Sequence, residues 1–266
     1  MIEQLILDMK GVLYDESREG NVNVKKVREG AKEFINYLTE MGLPFVLGTN
    51  VTTEMTDDLA EDLNDLGFDI PRDDVVSCID LSVPYLREQG IRRIFLISDN
   101  ERLRDFYRQQ GFEIVDYESD AVVVGLDRDL RQDTIRVAVN DLIGGSTLVG
   151  LHRYMTRVNS NGETEPNVGQ IISDLEKTAR LHPNQTTIIG KPSPTFYIEA
   201  MKRLPSQEPS ATLMIGDDPV GDLSGAYLLG MPTAFVRSKK YSSWPAELNF
   251  KPGYEVNHLG ELVEKL

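Results

Sequence analysis

Leu5-Ile6-Leu7-Asp8-Met9-Lys10-Gly11-Val12-Leu13-Tyr14 begins with an apolar run and breaks on a carboxylate. Gln4–Leu7 reads as a short buried strand, which puts Asp8 at its carboxyl end, where open α/β sheets present their ligand-binding groups. Three later segments repeat the arrangement of a strand followed directly by polar residues. They are Val46-Leu47-Gly48-Thr49-Asn50, Ile188-Ile189-Gly190-Lys191-Pro192-Ser193, and Met214-Ile215-Gly216-Asp217-Asp218 with Asp222 four residues beyond. Singly, each is what a turn or helix cap looks like. Four in one chain, each behind an apolar run, point to one site at one edge of a sheet.

Outward from these segments, short apolar runs alternate with amphipathic stretches, the pattern of βαβ units around a mostly parallel sheet. Lys25–Met41 reads as one helix, with Val27, Ala31, Phe34, Ile35 and Leu38 on a common face. Thr53–Leu66 reads as a second, stopped by Gly67. From about Ser77 the same grammar restarts and continues through a helix near Val168–Leu181, a block large enough to be a domain. The expected organisation is an α/β protein with a Rossmann-like parallel-sheet core, residues 1–76 and 184–266, and an inserted α/β cap, residues 77–183. The strand expected at Thr186–Ile189 falls in the second core segment, and Ser238–Gly253 reads as loop.

Composition narrows the function classes. The net charge of −15 opposes nucleic acid and anionic membranes, whose fields would repel the chain, so neither is an expected partner. No apolar run is long enough to span a bilayer. The first strand starts at once, with no basic segment and apolar core of a secretory leader, and the single cysteine, Cys78, fits a reducing compartment. The expected location is therefore cytoplasmic. A small anionic substrate remains compatible, because a metal ion and a lysine reverse the sign locally inside a cleft.

The residue types at the four strand ends suit phosphoryl transfer. A carboxylate can attack phosphorus and divide one difficult displacement into two easier ones. A hard, oxygen-liganded cation such as Mg2+ neutralises the phosphoryl oxygens, and a hydroxyl and a lysine complete the clamp. Asp8, Asp217, Thr49 and Lys191 supply that set. The segment Gly125-Leu126-Asp127-Arg128 ends a strand of the middle block; Arg128 could reach an anionic substrate, although a loop salt bridge is the commoner role for such a residue.

Taken together, Asp8–Tyr14, Thr49-Asn50, Leu66-Gly67-Phe68-Asp69-Ile70, Gly190–Pro194 and Gly216–Asp222 resemble the haloacid dehalogenase-like hydrolases, in the phosphatase branch with a large α/β cap. The pattern is most similar to the phospholysine, phosphohistidine and inorganic pyrophosphate phosphatase group. The resemblance implies a Mg2+-dependent phosphatase acting on a small phosphorylated substrate. It implies that Asp8 is nucleophile and metal ligand, that Asp217 is a second carboxylate ligand, and that the carbonyl of Lys10 is a third. Thr49, Asn50 and Lys191 would hold the phosphate, with Arg128 as a further contact, while Asp222 and Asp218 would orient Lys191 or metal-bound water. Similar proteins pair through their caps, so a cap-to-cap homodimer is also implied.

Lys10 departs from that pattern. Most phosphatases of the family place a second Asp two residues after the nucleophile as general acid and base, and the most similar group often places Ser there. Three readings of Lys10 stand. Its side chain points away and only its carbonyl matters; or its ammonium competes with the metal for Asp8; or burial lowers its pKa into the acid–base range. The second makes the protein a weak or silent anion-binding relic of the fold. Carbon–halogen hydrolysis, which also uses an Asp nucleophile, needs no metal and is disfavoured by Asp217.

Overall fold

A computed structural model of the chain describes residues 2–19, 22–158 and 163–266. The first part forms β1 (Gln4–Asp8), β2 (Tyr14–Glu19), β3 (Val22–Val27), α1 (Ala31–Glu40), β4 (Phe45–Thr49), α2 (Thr56–Asp65) and β5 (Val75–Ser77). The middle forms α3 (Cys78–Glu88), β6 (Arg93–Ile97), α4 (Glu101–Gln109), β7 (Glu113–Ile114), β8 (Ala121–Val124), α5 (Gln132–Ile143), β9 (Thr147–Gly150), β10 (Thr156–Val158), β11 (Thr164–Pro166), α6 (Val168–Ala179) and β12 (Thr186–Ile188). The last part forms α7 (Pro194–Met201), β13 (Thr212–Gly216), α8 (Gly225–Leu228), β14 (Thr233–Val236), β15 (Tyr254–Val256) and α9 (Gly260–Val263). Among the described residues no helix is long and apolar enough to cross a membrane.

Six strands make the first sheet, in the order β15-β14-β13-β1-β4-β5. Strand β1 is central and parallel to both neighbours, with Leu7 opposite Ile215 on one side and Leu47 on the other. Leu5, Ile6 and Leu7 are fully buried, which explains why the strand is apolar without alternation. The chain runs from β1 out to β4 and β5, then returns to β13 on the opposite side, so the strand order reverses at β1. That reversal opens a crevice at the carboxyl ends of β1 and β13. Asp8 ends β1, Thr49 ends β4, and Asp217 follows β13.

One sequence expectation fails in this part. Residues Lys25–Val27 belong to β3, which pairs antiparallel with β2 from Tyr14↔Val27 to Glu19↔Val22. Helix α1 starts only after Gly30, whose φ of 70° lies in the left-handed region that side-chain-bearing residues avoid. The apolar spacing that runs from Val27 into the helix is therefore accidental at its first member. Strand β15, at the edge of the sheet, lies just beyond a stretch read as loop.

The second compact unit carries its own parallel sheet, in the order β12-β9-β8-β6-β7. Val122, Val124, Leu148 and Leu126 of this sheet region pack with Ala138, Leu142, Ile172 and Leu175 from α5 and α6. Ser77 caps α3 with a reciprocal bond to Asp80.

By internal contacts the first unit comprises residues up to Thr49, Thr56–Val76 and Lys191–Leu266; the second comprises Asn50–Met55 and Ser77–Gly190. The boundary expected at residue 184 falls instead at 191. Thr186–Ile188 pair with Leu148–Gly150, Thr187 bonds Tyr85 at 2.8 Å, and Thr186 donates to Glu176 at 2.6 Å, so the strand assigned to the core belongs to the inserted unit.

Candidate active site

The first unit gathers Asp8, Thr49, Lys191, Asp217, Asp218 and Asp222 in buried positions, each below a tenth exposed. Lys191 lies at the centre. Its Nζ is 2.5 Å from Asp8 Oδ1, 2.8 Å from Asp222 Oδ1 and 3.0 Å from the carbonyl oxygen of Gly48. An ammonium has three N–H donors, and these three acceptors match that number. Gly48 must be glycine for this approach, since a Cβ there would stand 2.8 Å from the Phe196 ring.

Asp222 is held on every side. Its Oδ2 accepts from the Asp218 amide at 3.1 Å, its carbonyl accepts from the Tyr197 hydroxyl at 2.6 Å, and Gly216 leaves room for it. Asp218 caps the turn Pro219–Ser224 through the amides of Val220 and Gly221, while its other oxygen takes the Lys240 ammonium at 2.6 Å. The Ser238 side chain faces Asp217 and opposes the rise of its carboxyl pKa. Gly11, at φ 86°, lies so close to Asp217 that a Cβ would be 2.3 Å from Oδ2. The turn after Asp8 is thereby pressed against the second carboxylate.

Oxygens of Asp8, Asp217 and Asp222 lie within 4.8 Å of one another. Burial pushes the Asp8 carboxyl up to about 8; Asp222 and Asp217 add to the rise, and Lys191 opposes it. Asp217 is pushed up to about 6, again mainly by burial and then by Asp222. With all three ionised, these carboxylates would outnumber the Lys191 ammonium by two charges in a place shielded from water. Hard oxygen donors with two uncompensated charges are the donor set for a divalent cation such as Mg2+, so the residues fit the metal that their chemistry implies.

The remaining expected residues separate. The Lys10 side chain is 58% exposed and its ammonium pairs with Glu16 on β2. The shifts at Asp8 trace to burial, Asp222, Lys191 and Asp217, and Lys10 is not among their causes. The Lys10 ammonium is thus engaged by the first hairpin. Asn50 and Arg128 belong to the second unit. There the Asn50 amide packs on Gly190, where a Cβ would be 2.4 Å from Oδ1, and Arg128 is held by Asp99 at 2.5 Å. Sequence reading missed Ser238 and Lys240, the two residues that reach back to Asp217 and Asp218. They follow β14 in a stretch read as loop, and no spacing relates them to the carboxylates.

A family model described as haloacid dehalogenase-like hydrolase matches residues 5–113, and a second, described as HAD-hydrolase-like, matches residues 188–262. The haloacid dehalogenase-like hydrolase domain-containing protein 2 of Bos taurus is 30% identical over 235 residues, spanning 88% of this chain and 86% of that protein. The ribonucleotide monophosphatase NagD of Escherichia coli K12 is 26% identical over 238 residues, 89% of this chain and 88% of that protein. Among solved structures, a 4-nitrophenylphosphatase from Thermotoga maritima is similar with a TM-score of 0.82 at 26% identity, covering 99% of this chain and 97% of that one.

Proposed function

The chain belongs to the haloacid dehalogenase-like hydrolases, and from that premise we propose that it is a Mg2+-dependent phosphatase working through an aspartyl-phosphate at Asp8. One observation carries the reading: a buried Lys191 ammonium bonded to both Asp8 and Asp222 beside a third carboxylate, Asp217. The phosphatase names of several relatives support the reaction class. Asp8 and Asp217, with the Lys10 carbonyl, would hold Mg2+, which when bound neutralises phosphoryl charge. Both Asp222 oxygens are already bonded, to Lys191 and to the Asp218 amide, so Asp222 serves as an orienting partner.

Lys191 fixes Asp8 through Oδ1, and the other oxygen of that carboxylate attacks phosphorus. The P–O bond to the leaving group breaks as the Asp8–phosphorus bond forms. Thr49, at the end of β4, donates its hydroxyl to a phosphoryl oxygen. Water then attacks the acyl-phosphate, releasing phosphate and restoring the carboxylate. No carboxylate stands two residues after Asp8 to move protons in either step, and the Lys10 ammonium is tied to Glu16. The enzyme is therefore a slow one with a preference for leaving groups that need no protonation, such as aryl oxides. Its substrate is a small phosphate ester.

The test is phosphate release from an aryl phosphate with Mg2+ present. The reading requires that Asp8→Asn and chelation each abolish release; turnover that survives Asp8→Asn overturns the assignment of the nucleophile.

A further inference from the structure

The first unit holds a second cavity, of about 550 Å3, outside the carboxylate cluster. It is lined by the foot of the β2–β3 hairpin and by residues that follow β14 and β15 at the same carboxyl edge of the sheet. Its charge is opposite to that of the chain. Lys26, Arg28, Arg237 and Lys239 line it against two carboxylates, Asp15 and Glu29, in a protein whose net charge is −15. Asp15 is shared: it faces Lys26 across the hairpin and lies 3.5 Å from both Arg28 and Lys239. Four cations against the two lining carboxylates, Asp15 and Glu29, leave positive charge facing the cavity, with Arg237 further paired to Glu255.

The fold holds these cations in place. Arg28 donates to the carbonyl of Arg237, and Arg237 is fixed at 2.9 Å by Glu255 and at 3.0 Å by Asn257. The segment Arg237–Lys240 then alternates. Arg237 and Lys239 line the cavity, while Ser238 faces Asp217 and Lys240 bonds Asp218 at 2.6 Å. The Ser238 hydroxyl oxygen, itself at the cavity wall, also accepts the amides of Lys240 at 3.1 Å and Tyr241 at 3.3 Å. A charge placed in the cavity acts on the same short segment whose Ser238 and Lys240 brace Asp217 and Asp218.

We infer that this cavity is a second anion site, built for a phosphate group held by Lys26, Arg28 and Lys239 and coupled to the Asp217–Asp218 pair through Ser238 and Lys240. Its ligand chemistry has two sources, a second phosphate on the substrate itself or a separate phosphorylated effector. The site rests on the geometry of the first unit alone; only the substrate source rests on the phosphatase reading.

Inorganic phosphate titrated into the 15N-labelled full chain tests it by amide shifts. Saturable shifts at Arg28, Ser238 and Lys239 are expected in the wild type and equally in Asp8→Asn, which separates this site from nucleophile chemistry. Lys26→Gln combined with Lys239→Gln, both at exposed positions that preserve folding, should weaken those shifts about tenfold in affinity. Shifts confined to the surroundings of Thr49 and Lys191, or an unchanged affinity in the double variant, overturn the inference. Kinetics then separate the sources. A KM about tenfold higher in the double variant for a bisphosphate, with the aryl phosphate KM unchanged, identifies the substrate's own second phosphate. A change of aryl phosphate kcat on adding sulfate, present in wild type and absent in the double variant, identifies an effector.

Discussion

Lys10 gives its ammonium to Glu16, so the side chain two residues after Asp8, the proposed nucleophile, is held by the first hairpin. In the absence of a proton donor there, the leaving group departs with its charge, and rates should depend steeply on its acidity. Aryl phosphates of decreasing leaving-group pKa should be hydrolysed progressively faster, with alkyl phosphates slowest by about 10²-fold or more. A flat dependence across the series would show that another residue protonates the leaving group.

Restoring a carboxylate at this position should raise turnover. Lys10→Asp is expected to increase aryl phosphate kcat by about 10²-fold, the usual scale of general acid–base catalysis. The Lys10–Glu16 pair is exposed, so Lys10→Ala should shift the melting temperature by no more than about 3 °C. Steady-state kinetics and differential scanning fluorimetry read the two effects separately.

Among the described residues, Lys191 is the cation bonded to both Asp8 and Asp222. Lys191→Met leaves these buried carboxylates and the Gly48 carbonyl facing an apolar chain, at a cost of about 3–5 kcal/mol near neutral pH. Activity should be lost. Urea titrations of the wild type and the variant measure the stability loss. A loss below about 1 kcal/mol would mean that the ammonium does not hold the cluster together.

The pH dependence of the metal-free protein follows from two raised carboxyls. Asp8 at about 8 and Asp217 at about 6 both stand above 3.8. Groups raised on folding stabilise fully below their unfolded pKa, and the contribution is lost as pH rises through the folded values. The chelated protein should therefore melt at progressively lower temperature as pH climbs from about 4 through 8. Mg2+ should restore stability at the upper end and do little near pH 4, where protons compete for the same oxygens. A melting temperature in chelator that holds steady or rises across that span would contradict the charge repulsion.

Gly11 tolerates no side chain. Gly11→Ala combines a φ of 86° with a Cβ 2.3 Å from Asp217 Oδ2, so the turn or the carboxylate must move. The expected result is a fall of at least about 10²-fold in kcat/KM together with weaker Mg2+ affinity by calorimetry.

The legible parts of this molecule are those where burial writes itself into composition. Strands β1 and β13 are fully buried, β4 nearly so, and all three read as apolar runs that deliver a polar group at the last residue or just after it. The β2–β3 hairpin was illegible because Tyr14–Val27 is mostly polar and charged, with no alternating face to mark a strand. Strand β12 was found but assigned to the wrong sheet, since an apolar run does not name its partner. Ser238 and Lys240 reach the site only through tertiary contact, some twenty residues after the carboxylates they brace. Lys10 was visible at once, while its pairing with Glu16 required the hairpin.

The order in which β1 finds its partners bears on synthesis. Gln4, at the start of the central strand, bonds Thr212, 208 residues later in the chain. On the ribosome β1 can pair with β4 early, but its other edge must wait for β13, and by then all of the inserted unit has emerged. The insert can complete its own sheet while the catalytic sheet is still half made. A nascent chain stalled after Gly190 would carry a finished second unit and an apolar strand with one open edge, the kind of surface on which chaperones and aggregation compete. Asp8 and Asp217 can meet only once that edge is closed, so the proposed active site is among the last features this chain completes as it is made.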